Sequence, residues 1–437
     1  MKRYLVSIIL LLMWANNLFA QRNNMYQRTS ANVFYGISGA PLLDFNKLLE
    51  DRGGSKISST YRSFGLGYQT RFNDFIIGTE IYQNNGLNNP FGDYLIDYRT
   101  SRVFLNVGYA FTEEGKVQLI HFMSIGMGYM NFQMLKDQAP STMDNFLEAP
   151  AQGYILRRND VNSGAENFGN FLTEIGFELG YDLGLLSSEE VISLNAKFGY
   201  SFNPFEESWE IKGMNFDNIQ SGPFLRIGAG ITLPESNYFY RDATLALNLF
   251  YGFHFTKPNS LNNYLSSNGY QELDGIPTNI GIKIIGENRG FMYGVDLYNA
   301  NQNGDANESY HQSLSSTRVY GNIGHKLLEL NNWEIGLMGG IGYASLRYSL
   351  LHKYKVDFPS LMDLPEYDGE LKKGGLMAKP EAFLSYASSL SKKSQLALKY
   401  SITAGYEIPL ANYKLADVSM SSYLAGPFLQ FGLGIRP

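Results

Sequence analysis

The sequence predicts an all-β protein whose strands cross a membrane as an antiparallel barrel, sixteen strands in two repeats of eight. Three observations predict it. Apolar and polar residues alternate with period two over sixteen segments, the same phrases recur in the same order about 216 positions apart, and the connections alternate between short and long.

The first twenty residues precede the strands and have another purpose. A basic start at Lys2 and Arg3 leads into an apolar stretch, Leu5 to Trp14, and then to Leu18-Phe19-Ala20 before Gln21. This order reads as a secretory signal peptide cleaved after Ala20, since Asn16 and Asn17 interrupt a run already too short to span a bilayer. No later stretch approaches eighteen consecutive apolar residues, so further membrane contact is expected to use strands. The absence of cysteine removes a disulfide framework, a thiolate metal site, a catalytic thiol and a lipidated N-terminal cysteine.

Composition narrows the class. The chain holds 31 Tyr, 29 Phe and 45 Gly but only 17% charged residues, with a mean hydropathy of −0.20; soluble proteins carry roughly 25% charged residues. Loss of Lys2 and Arg3 takes the net charge from −6 to −8, which argues against nucleic acid as a partner.

The repeat follows from collinear matches. Phe34-Tyr35-Gly36 recurs as Phe250-Tyr251-Gly252, Gly78 to Tyr82 as Gly294 to Tyr298, and Ser101-Arg102-Val103 as Thr317-Arg318-Val319, all offset by 216. Gly126 to Tyr129 matches Gly340 to Tyr343 at 214, and Gly222 to Arg226 matches Gly426 to Gln430 at 204. The drift implies that loops changed length while strands kept their phase. The expected organisation is a signal peptide at 1–20, a short periplasmic segment at 21–30, and repeats at 31–236 and 237–437.

Strands are expected near 31–39, 59–71, 74–84, 98–111, 116–131, 170–184, 190–203 and 222–234, and again near 243–256, 276–286, 290–300, 315–328, 333–348, 379–390, 395–408 and 424–436. Each reaches the roughly 9 to 11 residues that a tilted strand needs to cross a bilayer. Val103, Leu105, Val107, Tyr109 and Phe111 share one face and belong to lipid; Arg102, Phe104, Asn106, Gly108 and Ala110 share the other. Ile175, Phe177, Leu179 and Tyr181 likewise oppose Glu174, Gly176, Glu178 and Gly180. A soluble sandwich also alternates, but it gives no reason for Tyr and Phe near strand ends, where an aromatic girdle sits.

Connections supply an independent test, because such barrels carry short periplasmic turns and long outer loops. From a periplasmic N-terminus the even-numbered connections, such as Phe72-Asn73, 112–115, Glu287-Asn288 and 329–332, are short, and the odd-numbered ones, such as 40–58, 132–169 and 349–378, are long. The first outer loop of each repeat is expected to hold a short helix, at Leu42 to Leu49 and at Ser260 to Leu265. With its Leu-Asn-rich helix, Gly-x-Gly strands and closing Gly-Pro-Phe-Leu strand, one unit resembles the small single-unit outer-membrane β-barrel proteins of Gram-negative bacteria. That resemblance implies a fold and an outer-membrane location, and little about activity.

Closure admits two forms. One sixteen-stranded barrel is favoured by the short connection at 234–242 and by the lack of a visible lipid-compatible patch between two small barrels. Two eight-stranded barrels are favoured by inward Gly, by inward Phe104, Phe122, Phe224 and Tyr320, and by charge balance within each repeat.

The inward phase collects Glu80, Glu174 and Glu178 with Arg102, Lys197 and Arg226 in the first repeat, and Asp296, Glu334 and Glu381 with Lys283, Arg318 and Lys399 in the second. Such sets read as salt-bridge networks inside a barrel, with a solute or ion pathway as the other reading. His121 and His325 fall on the outward face and His254 inward, with no metal-ligand spacing among the histidines. His311 near Asp305 and Glu308 is the one acid and histidine pairing that fits a rim hydrolase. The stretch 301–308 and the group Asp363, Glu366, Asp368 and Glu370 offer oxygen ligands to calcium without the spacing of a defined loop. The sequence therefore points to a non-enzymatic barrel without cofactor or metal. It would pass small solutes or present loops within an outer-membrane assembly, with lipid and surface proteins as partners; a hydrolase is the alternative.

Overall fold

The computed structural model describes residues 27–39, 42–86, 89–112, 116–138, 140–156, 161–162, 171–186, 190–204, 210–211, 214–215, 221–233, 243–353, 358–391 and 394–436. The signal peptide and the connection at 234–242 lie outside the described residues.

The first repeat forms β1 (Gln27–Gly39), β2 (Thr60–Phe72), β3 (Phe75–Asn85), β4 (Tyr94–Ala110), β5 (Val117–Lys136), β6 (Phe171–Leu185), β7 (Val191–Phe202) and β8 (Gly222–Leu233). Residues 27–30, expected as a periplasmic segment, belong to β1, whose Thr29 and Ser30 are buried inside the ladder. Each strand pairs antiparallel with the next, and β1 closes the ring against β8.

The second repeat forms β9 (Ala243–His254), β10 (Thr278–Asn288), β11 (Phe291–Asp305), β12 (Tyr310–Leu330), β13 (Trp333–His352), β14 (Gly369–Ser391), β15 (Ser394–Pro409) and β16 (Gly426–Arg436), a closed barrel with β9 against β16. Several strands outrun their expected lengths at the outer end, β14 by ten residues at its start. Period-two alternation fades above the membrane, where lipid no longer lies on one side, so the pattern understates length there.

Two eight-stranded barrels thus stand where a single sixteen-stranded one was favoured. At the first seam Phe34 lies opposite Gly228, and at the second Phe250 lies opposite Gly432. A Cβ on Gly228 would sit 2.5 Å from the Phe34 ring and one on Gly67 2.8 Å from it, so that ring fills the space two glycines leave on the flanking strands. Eight strands leave room only for side chains, and in the first barrel inward rings beside inward glycines take up that room. The structure also places the repeat offset of β5 and β13 at 216 rather than 214: Gly126 lies opposite Phe104, and Gly342 opposite Tyr320. A two-residue slip keeps every side chain on its face, so sequence matching alone tolerates it.

The alternation expected for β4 and β6 is present, with Val103, Leu105, Val107, Ile175, Phe177 and Leu179 exposed outward and Arg102, Phe104, Glu174 and Glu178 buried. At the end with short connections the hairpins turn at Asn73, Arg289-Gly290 and Asn331, which have φ of 54°, 49°, 81° and 57° respectively. A two-residue hairpin needs such left-handed positions to match strand twist. The 289–290 turn lies two residues later than the sequence suggested, because Glu287 and Asn288 still pair in the ladder.

Equivalent residues of the two repeats meet where the barrels touch. Tyr68 and Ile284, 216 apart, join one apolar cluster with Leu233, Ala243 and Leu245, against which Ala31 and its equivalent Leu247 pack. The Tyr68 hydroxyl donates to the carbonyl of Leu245 at 3.0 Å. This is the patch that sequence reading did not find; its members come from five different strands.

Above the membrane the repeats cap one another. The helices expected in the first outer loops are α1 (Leu43–Glu50) and α3 (Asn259–Ser267). The third outer loops add α2 (Met143–Glu148) and α4 (Phe358–Asp363). Met143, Phe146 and Leu147 of α2 are buried in the core above the second barrel, whereas Leu361 and Met362 of α4 are buried in the core above the first. Each such apolar side chain contributes about 1.5–3 kcal/mol on burial. The polar contacts follow the same exchange: Arg52 pairs with Asp363 at 2.7 Å, and Asn268, at the position equivalent to Arg52, donates to Asp144 at 3.3 Å. The contact has the self-complementary form of a two-fold dimer interface, realised within one chain.

Candidate functional site

The inward face of β1 to β8 carries the first charge network. Both oxygens of Glu174 accept from Arg226, at 2.8 and 2.7 Å, and Oε1 also accepts from Arg102 at 3.3 Å. The Arg226 guanidinium lies 3.7 Å from the centre of the Tyr82 ring and 4.0 Å from that of Phe224, so cation–π contact adds to the bidentate pair. Lys197 bonds to Glu80 and lies 3.4 Å from Glu178, whose other oxygen accepts from Gln69 at 3.0 Å. All six predicted residues of this repeat are buried, and they meet in the barrel interior.

The second barrel keeps two of these positions and rewires the rest. Asp296 and Arg318 stand at the positions of Glu80 and Arg102, opposite Tyr320 and Tyr298 where the first barrel has Phe104 and Tyr82. Lys283 donates to Glu381 at 2.6 Å and lies 3.4 Å from Asp296, and Lys399 donates to Glu334 at 2.6 Å. Arg318 does not meet any of the carboxylates that the sequence grouped with it. Its partner is Glu407, which also accepts from Tyr298 and from Tyr320 and has His254 Nδ1 3.2 Å from its second oxygen.

Lys379 and Glu407 are the residues that sequence reading missed. Lys379 is buried and bonds to Asp296 and, at 2.8 Å, to Glu381. Gly199 faces Phe224 as Gly405 faces Phe428, so Glu407 occupies the place of Ser201. Glu174 and Ser201 face one another in the first barrel, and the second carries Lys379 and Glu407 on the corresponding strands: the carboxylate that meets the arginine common to both repeats has moved one strand along. Their signal was available, since Lys379 shares the phase of Glu381, and Glu407 that of Lys399 and Thr403.

Buried side chains crowd both interiors among the described residues. One cavity in the second barrel, lined by Lys283, Glu381, Lys399, Met292 and Phe383 among others, leaves about 30 Å³ for water centres. That is room for roughly two water molecules. Tyr298 and Tyr320 are fully buried above it, and the α2 residues close the mouth.

At the rim, His311 Nδ1 lies 2.6 Å from Asp305, and Lys353 lies 3.2 Å from the same carboxylate. The hydrogen bond from Lys353, and then that from His311, hold the Asp305 carboxyl below its ordinary range. Both members of the acid and histidine pair are half exposed. The acidic residues considered for calcium are otherwise engaged: Asp363 with Arg52, Glu366 with Lys136 at 2.7 Å, and Asp368 with the amides of Ile155 and His352 at 2.9 and 2.7 Å. Among the described residues no group of three or more acidic or histidine side chains is arranged to hold a metal. The bond from Lys136 lowers the Glu366 pKa, and Glu366 in turn raises that of Lys136.

No known family model matches the chain, and no curated protein matches it. Solved structures that resemble it include the toluene transporter TodX of Pseudomonas putida, 12% identical over 96% of this chain and 89% of that one, with a TM-score of 0.22. The toluene transporter TbuX of Ralstonia pickettii is 11% identical over 94% and 88%, with a TM-score of 0.24. A loop-deletion mutant of OmpT, an outer membrane protein of Vibrio cholerae, is 8% identical over 94% and 98%, with a TM-score of 0.20. With outward apolar rows on the described strands, tight hairpins at one end and hydrogen-bonded closure of both rings, the fold is that of an outer-membrane β-barrel, present twice in tandem in one chain.

Proposed function

We propose that this chain is a non-enzymatic structural protein of the outer membrane, exported by a signal peptide cleaved after Ala20, whose twin barrels anchor one joint extracellular loop surface for other surface proteins. The observation that carries this reading is the reciprocal capping, in which α2 of the first repeat is buried above the second barrel and α4 of the second above the first. A passage would need a lumen; the paired charges, stacked tyrosines and opposite repeat's loop in and above the second barrel support a structural role instead. Side chains alone fill an eight-stranded barrel. Against hydrolysis, Asp305 serves Lys353 as well as His311 in a solvated position, where an ion pair is worth little and water is not excluded.

Conductance of the refolded chain in a planar bilayer tests the proposal. Electrical silence is expected, and steady single-channel current would overturn it in favour of solute passage. Loss of a surface activity in His311→Ala with the barrels intact would instead favour the hydrolase.

A further inference from the structure

Outward-facing cations at the loop end fall on equivalent ladder rows of the two barrels. Arg62 and Arg99 both face Asn85 in the first barrel, and Arg99 also faces Asn131, whose equivalent 216 residues on is Arg347. Arg347 in turn lies directly opposite Lys372 on β13 and β14. The chain as a whole carries a net charge of −6, so this row is not a by-product of basic composition.

Its place relative to lipid is set by the strands beneath. Four residues nearer the membrane on each strand, Tyr343 faces Leu376, and these outward side chains are 53% and 55% exposed. That separation is about 13 Å along the strands and less in height once they tilt. The ammonium and guanidinium groups, on long flexible stems, therefore reach the level of headgroups while the apolar pair lies among acyl chains.

Two like charges directly opposite on neighbouring strands repel. The nearby carboxylate does not offset both: Glu370 lies 3.8 Å from Arg347, is itself buried, and accepts from Ser349. Among the described residues Lys372 has no ion pair, and it is exposed. An outside anion bridging the two cations would turn the repulsion into two charge-assisted contacts.

We propose that Arg347 and Lys372 bind the phosphate of an anionic lipid in the outer leaflet, with its acyl chains lying on Tyr343 and Leu376. The apolar rows directly below favour a lipid over a free ion, because the same molecule can satisfy both. Basic clusters at a membrane surface recognise anionic headgroups through this combination of charge and depth.

The test uses the full chain refolded in a neutral detergent, with a phosphorylated glycolipid such as lipid A as probe and retention read by native mass spectrometry. The double variant Arg347→Gln/Lys372→Gln should lower affinity by about tenfold or more, the loss expected of charged contacts. Glu370→Gln, which removes the competing carboxylate, should tighten binding. Lys372→Arg should retain it, and the heat-shifted gel band reports that each variant is folded. Equal retention by the double variant, or equal retention of the dephosphorylated glycolipid, refutes the site. Inorganic phosphate binding at the same two residues as tightly as the glycolipid refutes the lipid assignment.

Discussion

Replacement of Glu174 by alanine should be the most damaging single change in the first barrel interior. The carboxylate is fully buried and receives two short bonds from Arg226, at 2.8 and 2.7 Å, as well as the longer 3.3 Å bond from Arg102. Without it, Arg226 keeps its guanidinium between the Tyr82 and Phe224 rings but loses the charge that compensates its burial. Breaking a buried pair from one side costs about 3–5 kcal/mol. Arg102→Ala is a milder test of the same network, because Glu174 retains its bidentate partner; the loss there is about 1–3 kcal/mol. Glu174→Gln keeps the shape and isolates the charge. Urea unfolding in detergent, read by the heat-shifted gel band, should rank the variants with Glu174→Ala least stable. Double substitution of Glu174 and Arg226 should cost less than the sum of the singles, since the removed groups are each other's partners. Equal stabilities for Glu174→Ala and the parent would refute the reasoning and mean that water solvates these arginines.

Closure is tested by disulfide trapping in a chain that has no native cysteine. Cysteines at Tyr35 and Ile227, which lie opposite each other at the first seam, should crosslink, whereas Tyr35 with Phe431 should not; the converse would establish a sixteen-stranded ring. The loop exchange is tested at Asp368, whose carboxylate accepts from the amides of Ile155 and His352 and so ties the first repeat's outer loop to the second. Asp368→Ala should orphan both amides at about 1–3 kcal/mol each and speed surface proteolysis of the third outer loops, and unchanged cleavage would place the clasp elsewhere.

By itself the sequence determined where the strands lie, their faces and most of the buried charges, Lys379 and Glu407 excepted. Period-two alternation is local: once lipid lies on one side of Val103, Leu105 and Val107, the next residues must face inward, and Arg102, Glu174 and Arg226 follow from phase alone. The tertiary structure decided which strand edges meet. Every strand edge offers the same backbone donors and acceptors, so the ladder leaves no trace in the sequence, and either closure sets an inward ring opposite an inward glycine, as Phe34 stands opposite Gly228 and Phe250 opposite Gly432. Those rings and glycines were legible from their phase, but a list of phases does not say which ring meets which glycine. The partner of Arg318 was hidden for the same reason, because pairing it with Glu407 rather than Asp296, Glu334 or Glu381 depends on how the ring of strands closes. The exchange of α2 and α4 between repeats lies further still from local pattern, since loops packed on a neighbour look, residue by residue, like loops packed at home.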